Sequence, residues 1–170
     1  MLRVLGIDPG SRVTGYGIVG LSGNRLVHIE HGTINAKPGE KLPSRLKRIH
    51  DGLLEVVQKN EIHESGVEMI FNARNAQSAL KLGHARGVIL LALEESSLPI
   101  TEYTPMQVKS AVVGYGKATK EQVQEMVKRL LALPKKASSD ASDALAVAIC
   151  HGRSRTTAHA LMRGALRVRR

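Results

Sequence analysis

Four acidic residues stand at positions where the surrounding sequence is apolar. Asp8 closes the first apolar stretch of the chain, and Glu68 interrupts a later one. Asp140 and Asp143 lie three residues apart at the start of an apolar helical run, so they share one helix face. An ionised carboxylate is tolerated in a protein core only when it is paired or bound to a metal ion. The four positions are therefore candidates for chemistry.

Each acid also has an ordinary structural explanation. Asp8 could form a turn with the Pro-Gly pair that follows it. Asp140 could cap the last helix, with Asp143 favoured by the helix dipole, and Glu68 could face solvent on an edge strand. Taken together these explanations weaken, because a strand end, a strand centre and a helix start can all meet at one edge of a sheet.

Convergent carboxylates favour hard cations such as Mg²⁺ or Mn²⁺ over zinc. None of the seven histidines has another histidine four residues away, so the sequence offers no helical zinc pair. Two Mg²⁺ ions about 4 Å apart could hold the attacking and leaving oxygens of a phosphodiester displacement. The acids therefore predict a metal-dependent nuclease.

The charge balance agrees with a polyanionic partner. The chain has 25 Lys and Arg against 15 Asp and Glu, a formal net charge of +10. Residues 153–170 contain six arginines and no acid, and two internal stretches, 71–93 and 104–136, are also basic. Such clusters are typical of nucleic-acid binding, although a solvated basic surface would look the same.

Length and composition place the chain among single-domain globular proteins. With 170 residues, 42% hydrophobic and 24% charged, it is neither disordered, nor collagen-like, nor membrane-spanning. We expect a domain over residues 1–152 and a basic, flexible tail over 153–170. The single cysteine, Cys150, excludes an intrachain disulfide and a thiolate zinc site. The short apolar start does not match a signal peptide, so we expect a soluble cytoplasmic protein.

Hydrophobic periodicity predicts an α/β architecture. We expect strands at 2–7, 13–21, 26–34, 66–71 and 99–103, and helices at 43–58, 75–95, 105–112, 119–132 and 139–152. The order βββαβαβααα predicts a mixed sheet covered by helices on both faces. The long apolar helix at 75–95 is a candidate subunit interface, unless a further helix covers its second face.

Four blocks of the sequence resemble the bacterial Holliday junction resolvase family RuvC. The blocks are Leu5 to Gly17, which contains Gly-Ile-Asp-Pro-Gly, Glu68 to Gly83, Gln107 to Gly116, and Asp140 to Ala146. They occur in the family's order and spacing over about residues 2–151. One block alone would be weak, whereas four in register are specific.

The resemblance implies an RNase H-like fold with a five-stranded mixed sheet in the order 3-2-1-4-5, in which only the second strand is antiparallel to the rest. It implies a homodimer that resolves four-way DNA junctions in recombination and repair by paired, symmetric cuts, leaving 5′-phosphate and 3′-hydroxyl ends. It also implies two Mg²⁺ ions per subunit, replaceable by Mn²⁺, and the RuvA–RuvB branch-migration complex as a partner.

The resemblance also assigns roles to residues. Asp8, Glu68, Asp140 and Asp143 match the family's metal-binding acids. Lys109 and Lys120 match basic residues beside the scissile phosphate, and Phe71 matches an aromatic residue that meets unpaired bases. Further DNA contacts are expected from Arg74, Asn75, Lys81 and Lys117. From the sequence alone, Phe71 could equally be a core residue, and Lys117 and Lys120 could be ordinary solvated lysines.

Two features depart from the family pattern. Met69 replaces a residue that is commonly polar, and the tail after Gly152 follows no family motif.

The residues also allow three other functions. The first strand and turn fit an actin-like phosphotransferase, but that class needs two such domains. The acids and the basic surface are likewise compatible with a non-cutting binder of branched DNA, or with a nuclease for RNA or RNA–DNA hybrids.

Overall fold

The computed structural model describes residues 1–23, 25–69 and 75–168, with side chains described as far as residue 156. Its five strands form one sheet in the order β3-β2-β1-β4-β5. They are β1 (Leu2–Asp8), β2 (Val13–Ser22), β3 (Arg25–Asn35), β4 (Glu64–Glu68) and β5 (Ile100–Tyr103). Only β2 runs against the others, because its pairings with β1 and β3 are antiparallel while β1–β4 and β4–β5 are parallel. The predicted topology is confirmed.

In the described part of the chain, five helices cover the two faces of the sheet. They are α1 (Leu42–Asn60), α2 (Ala76–Glu95), α3 (Pro105–Val113), α4 (Lys120–Leu130) and α5 (Ser139–Val168). Strand β1 shows why both faces are buried, since Leu5 and Ile7 pack in the cluster with α1 and α2, and Val4 packs in the cluster with α3, α4 and α5. Within the described ranges, no helix is both long enough and apolar enough to cross a membrane.

Strand β4 differs from the prediction, which placed it at 66–71 with Glu68 in its centre. The strand begins at Glu64, opposite Val4 of β1, and Glu68 is its last residue. A buried serine made its start hard to recognise. The hydroxyl of Ser65 donates a hydrogen bond of 2.9 Å to the carbonyl oxygen of Pro99, which satisfies that polar group inside the sheet.

Helix α5 continues to Val168, whereas the sequence predicted that it ends at residue 152. Gly152 does not adopt the left-handed conformation that ends many helices, and it packs against Leu26 and Leu21 of the sheet. Beyond it, Arg155 forms an ion pair with Glu64 at the start of β4. The division into a domain at 1–152 and a flexible tail at 153–170 stays a prediction.

Candidate active site

Two of the four acids stand side by side because they end neighbouring parallel strands. Asp8 is the last residue of β1 and Glu68 the last residue of β4, and the pairing of Ile7 with Val67 aligns the two ends. The two carboxyl groups are close enough for the charge of Glu68 to raise the pKa of Asp8. The edge of the sheet therefore presents a carboxyl pair.

The other two acids are brought to this edge by helix α5, whose first turns carry Asp140 and Asp143. The helix backbone lies directly on strands β1 and β2, at glycines. A β carbon on Gly15, the cross-strand partner of Asp8, would lie 2.1 Å from the carbonyl oxygen of Asp140. On Gly6, a β carbon would lie 2.2 Å from the carbonyl oxygen of Ala144. The two glycines thus permit a helix position that side chains would block.

The acids are poorly accommodated as free anions. Burial, followed by the charges of Glu68, Asp143 and Asp140, raises the pKa of Asp8 to about 8. Burial and the charge of Asp143 raise the pKa of Glu68 to about 7. Burial also raises the pKa of Asp143, against the opposite effect of a lysine beside it. Cations in the site would relieve this repulsion and keep the carboxylates ionised.

A lysine supplies one positive charge directly. The Nζ of Lys120, the first residue of α4, lies 2.7 Å from Oδ2 of Asp143. Burial opposes the charge of Lys120, but the Asp143 carboxylate outweighs it and raises the pKa of the lysine. The charge of Lys109, on α3, lowers the pKa of Glu68. Both predicted lysines are therefore close to the acids.

A small cavity of about 180 Å³ lies between the acids and the two lysines. It is lined by Glu68, Pro105, Val108, Lys109, Lys120, Val123, Asp143 and Ala146. Its polar lining combines carboxylates, which bind cations, with ammonium groups, which bind phosphate oxygens. Both kinds of ligand are needed to hold a phosphodiester over metal ions.

The carboxylate donor set fits Mg²⁺ or Mn²⁺, both of which prefer oxygen ligands. Among the described residues, however, no three His, Cys, Asp or Glu side chains converge into a ready-made metal cage. Two interactions account for this separation of the carboxylates. Like charges repel one another, and Asp143 turns to Lys120 at 2.7 Å.

The remaining predicted DNA contacts are spread over the surface. Lys117 is exposed in the turn between α3 and α4, which Gly114 enters with a φ of 100°. Lys81 is exposed on α2. The side chain of Asn75 accepts a hydrogen bond of 2.8 Å from the backbone N–H of Ser78 and so caps α2. Phe71 and Arg74 lie outside the described residues, and their roles stay predictions.

Sequence reasoning missed Gly15 and Gly6 as residues that position the acids. The available signal was the presence of two glycines, Gly15 and Gly17, inside the strand predicted at 13–21. Glycine inside a strand is unfavourable by itself and often marks a close approach of another backbone. What approaches Gly15 cannot be read from the local sequence, because Asp140 is 125 positions away (140 minus 15).

Comparisons with known proteins identify the family of this chain. The profile of the family described as "Crossover junction endodeoxyribonuclease RuvC" matches residues 4–151. The chain is 58% identical over 153 residues to that enzyme from Geobacter metallireducens, covering 90% of this chain and 93% of the relative. It is 55% identical over 166 residues to the Geobacter sulfurreducens enzyme, covering 98% of both chains.

A solved structure is similar throughout. It is described as Thermus thermophilus RuvC in complex with a Holliday junction substrate, and it superimposes with a TM-score of 0.87 at 34% identity. The match covers 93% of this chain and 97% of that one. With both the profile and the relatives spanning most of its length, the chain belongs to the RuvC family of crossover junction endodeoxyribonucleases.

Proposed function

We propose that this protein resolves Holliday junctions by hydrolysing one phosphodiester bond in each of two opposing strands. The observation that carries the proposal is the meeting of acids at one sheet edge, where Asp8 and Glu68 end neighbouring strands and Lys120 contacts Asp143. The substrate is inferred from family membership and from the similar Thermus protein, whose structure includes a Holliday junction.

Asp8, Glu68, Asp140 and Asp143 are proposed to bind two Mg²⁺ ions per subunit, with Mn²⁺ able to substitute. The ions would supply positive charge that stabilises the negative charge developing on the phosphate. The pKa values of Asp8 and Glu68 are raised, mainly by burial, so binding of a cation near neutral pH is expected to release a proton from this pair. The rigid strand ends keep these two carboxylates in register.

Lys120 and Lys109 are proposed to hold the oxygens of the scissile phosphate. Lys120 first has to exchange its contact with Asp143 for one with the substrate, which leaves the carboxylate free for a cation. Lys109 lines the same cavity from α3. Lys117, exposed in the preceding turn, is proposed to bind a neighbouring phosphate. Asn75, Lys81, Phe71 and Arg74 are retained as predicted contacts with the rest of the junction.

The proposed reaction is direct attack of water on phosphorus. The water oxygen forms a bond to phosphorus, its proton passes to solvent or a carboxylate, and the bond to the 3′-oxygen breaks. The leaving 3′-oxygen takes up a proton, so the products carry a 5′-phosphate and a 3′-hydroxyl. A ligase can join such ends. A covalent bond between protein and DNA would contradict this step.

Two symmetric cuts need two sites, so we propose a homodimer in which helix α2 forms the contact. Leu80 and Leu91 of this helix are 62% and 52% exposed. Between them, a β carbon on Gly83 or Gly87 would meet no described atom within 4 Å. These positions recur at helical spacing and form an uncovered apolar face. A two-fold axis through it would match the symmetry of the junction.

Two further proposals rest on the family resemblance. The protein is inferred to cooperate with the RuvA–RuvB branch-migration complex, which would deliver junctions to it. Its place of action is inferred to be the cytoplasm, because the substrate is DNA.

The test uses a synthetic four-way junction, a duplex of the same sequence and an RNA–DNA hybrid, each with Mg²⁺. We expect paired nicks in the junction and none in the other substrates. The Asp8→Asn variant should bind the junction but cut it at least about a hundredfold more slowly, since it removes one carboxylate and leaves the basic surface unchanged. Preferred cutting of the hybrid would replace the proposal with a general RNase H-like activity.

A further inference from the structure

We propose that Arg12, Lys37 and Lys41 form a second phosphate-binding surface, here called the basic edge, on the side of the acids away from Lys109 and Lys120. Its partner is the sugar–phosphate backbone of the DNA strand being cut, within a few nucleotides of the cut. This inference rests on the proposed function and adds a contact to it. None of the three residues belongs to the expected DNA contacts named above.

Strand pairing places the basic edge beside the catalytic acids. Asp8 ends β1, and Val13 begins β2 at the same edge of the sheet. Val13 pairs with Asn35, the last residue of β3, so the turn after β1 and the loop after β3 are neighbours. The backbone N–H of Ala36 donates a hydrogen bond of 2.8 Å to the carbonyl oxygen of Arg12, which joins the two segments.

The positive charges of the basic edge are available to a ligand. Arg12, Lys37 and Lys41 are all exposed, and in the described part of the chain none of them forms a salt bridge. The acid of this loop, Glu40, is already engaged. Its carboxylate accepts hydrogen bonds of 2.9 and 3.2 Å from Arg48, which hold its pKa at about 2.

The contact of Glu40 with Arg48 also fixes the shape of the loop. Glu40 accepts a further hydrogen bond of 2.8 Å from the backbone N–H of Lys37. The loop is thereby tied to α1 through Arg48 and to its own start through Lys37. Lys37 and Lys41 are therefore carried on an ordered segment, so binding a phosphate orders only their side chains.

The spacing of the strands sets which phosphates the basic edge can reach. Neighbouring strands lie about 4.8 Å apart, so the end of β3 is about 10 Å from the end of β1 across β2. Along one DNA strand a phosphate recurs about every 3.4 Å of helix axis, and successive phosphates lie farther apart than this because the strand winds around the axis. A strand that crosses the sheet edge from Asp8 toward Arg12 would thus reach the basic edge within the first few phosphates from the cut.

A contact on this side has a mechanical consequence for the reaction. Lys109 and Lys120 pull the DNA toward α3 and α4, and the basic edge would hold it toward β3. With basic groups on both sides, the backbone is stretched across the carboxylates between them. The scissile phosphate is then placed by two anchors, which restricts sliding of the strand along the site.

The first test measures the salt dependence of junction binding, in an Asp8→Asn background so that the substrate stays intact. Each phosphate contact contributes about 0.9 to the slope of log K against log salt, or about eightfold in affinity between 1 M and 0.1 M salt. We expect Arg12→Gln to lower the slope by about 0.9, and the Lys37→Gln, Lys41→Gln double variant to lower it by up to about 1.8.

Arg25→Gln is the matched control, because it removes the same exposed charge at the opposite end of β3. With 11 residues in that strand, the two ends are about 35 Å apart. Arg25→Gln should leave the slope unchanged. An equal fall in Arg25→Gln and Arg12→Gln would overturn the proposal, because it would show only a general effect of net charge.

The second test neutralises single phosphates of the cut strand as methylphosphonates. Neutral groups at the first few phosphates on one side of the cut should weaken binding by the protein with an intact basic edge, and should have no further effect in the Arg12→Gln, Lys37→Gln, Lys41→Gln triple variant. Additive losses would overturn the proposal. Failure of the unmodified protein to prefer a junction over a duplex would instead refute the proposed function, so the two failures are distinguishable.

Discussion

Replacing Gly15 by alanine tests whether the contact between strand β2 and helix α5 positions the acids. The new β carbon would lie 2.1 Å from the carbonyl oxygen of Asp140 and 2.5 Å from its carbonyl carbon, whereas real β carbons essentially never approach closer than 3.0 Å. The obstructing atoms are backbone, so no side chain can turn away. The start of α5 must therefore move by about 0.9 Å or more (3.0 minus 2.1).

A shift of this size matters more for cleavage than for folding. Mg²⁺ requires near-ideal geometry with ligands at about 2.0–2.1 Å, and a misplacement of about 1 Å can slow a reaction by about 10²-fold. Overpacking usually costs about 1–3 kcal/mol of unfolding free energy, which most folded domains survive. We expect Gly15→Ala to cut about a hundredfold more slowly and to melt at a somewhat lower temperature.

The assay is single-turnover cleavage of a synthetic junction at saturating protein over a range of Mg²⁺ concentrations. Circular dichroism gives the melting curve, and junction affinity without metal should change less than about twofold, because exposed basic residues are untouched. A rate loss that reflects displaced ligands will be partly reversed by high Mg²⁺ or by Mn²⁺. A rate loss that reflects an unfolded fraction will follow the melting curve instead.

Gly20→Ala, in the same strand, is the control. The three atoms nearest its β carbon all belong to the side chain of Met1, with the sulphur at 2.5 Å, and that flexible chain can move aside. The control should cut at the normal rate. Wild-type cleavage by a folded Gly15→Ala protein would refute the reasoning, because it would show that Asp140 tolerates the shift.

Three further predictions concern pH, assembly and the end of the chain. The pKa of Asp8 is raised from 3.8 to about 8, so the folded state holds this proton more tightly than the unfolded state. The free energy of unfolding of the metal-free protein should therefore fall as the pH rises between those values. Thermal melts in chelator at pH 6 and 9 should show the fall, and Asp8→Asn should reduce it. Leu91→Glu should place a charge on the exposed face of α2 and give monomers in sedimentation and single nicks in junctions, whereas unchanged dimers would exclude that face. Deleting residues 157–170 removes four arginines but keeps the ion pair of Arg155 with Glu64. In a binding titration, the affinities for junction and duplex should fall alike, and a loss confined to the junction would contradict this.

Much of the fold is written in local patterns that a sequence displays directly. The short apolar stretch that contains Val4, Leu5 and Ile7 predicts a buried strand, and Thr119 with Gln122 predicts the capping box observed at the start of α4. The resemblance to RuvC, and with it the sheet order and class of enzyme, was also confirmed. The strand and the capping box depend on neighbours a few positions apart, whereas the sheet order was implied by the resemblance, which matches blocks spread over most of the chain.

Boundaries were less certain where polar residues enter the core. Ser65 belongs to β4 only because the carbonyl oxygen of Pro99 is there to accept its hydrogen bond. The helical continuation past residue 152 likewise depends on what surrounds it, since Gly152 packs against Leu26 and Arg155 reaches Glu64. A partner far away in sequence decides each of these cases, and no local pattern contains it.

For the site, the sequence by itself indicated the four acids as candidates for chemistry, and the resemblance to RuvC added the two lysines. Only the tertiary structure decided how they meet. The contact of Lys120 with Asp143, the closeness of Gly15 to Asp140 and the hydrogen bond between Ala36 and Arg12 join segments that are separate in the chain. Their distances follow from how sheet and helices pack as bodies, and packing depends on all contacting surfaces together rather than on any one stretch of residues.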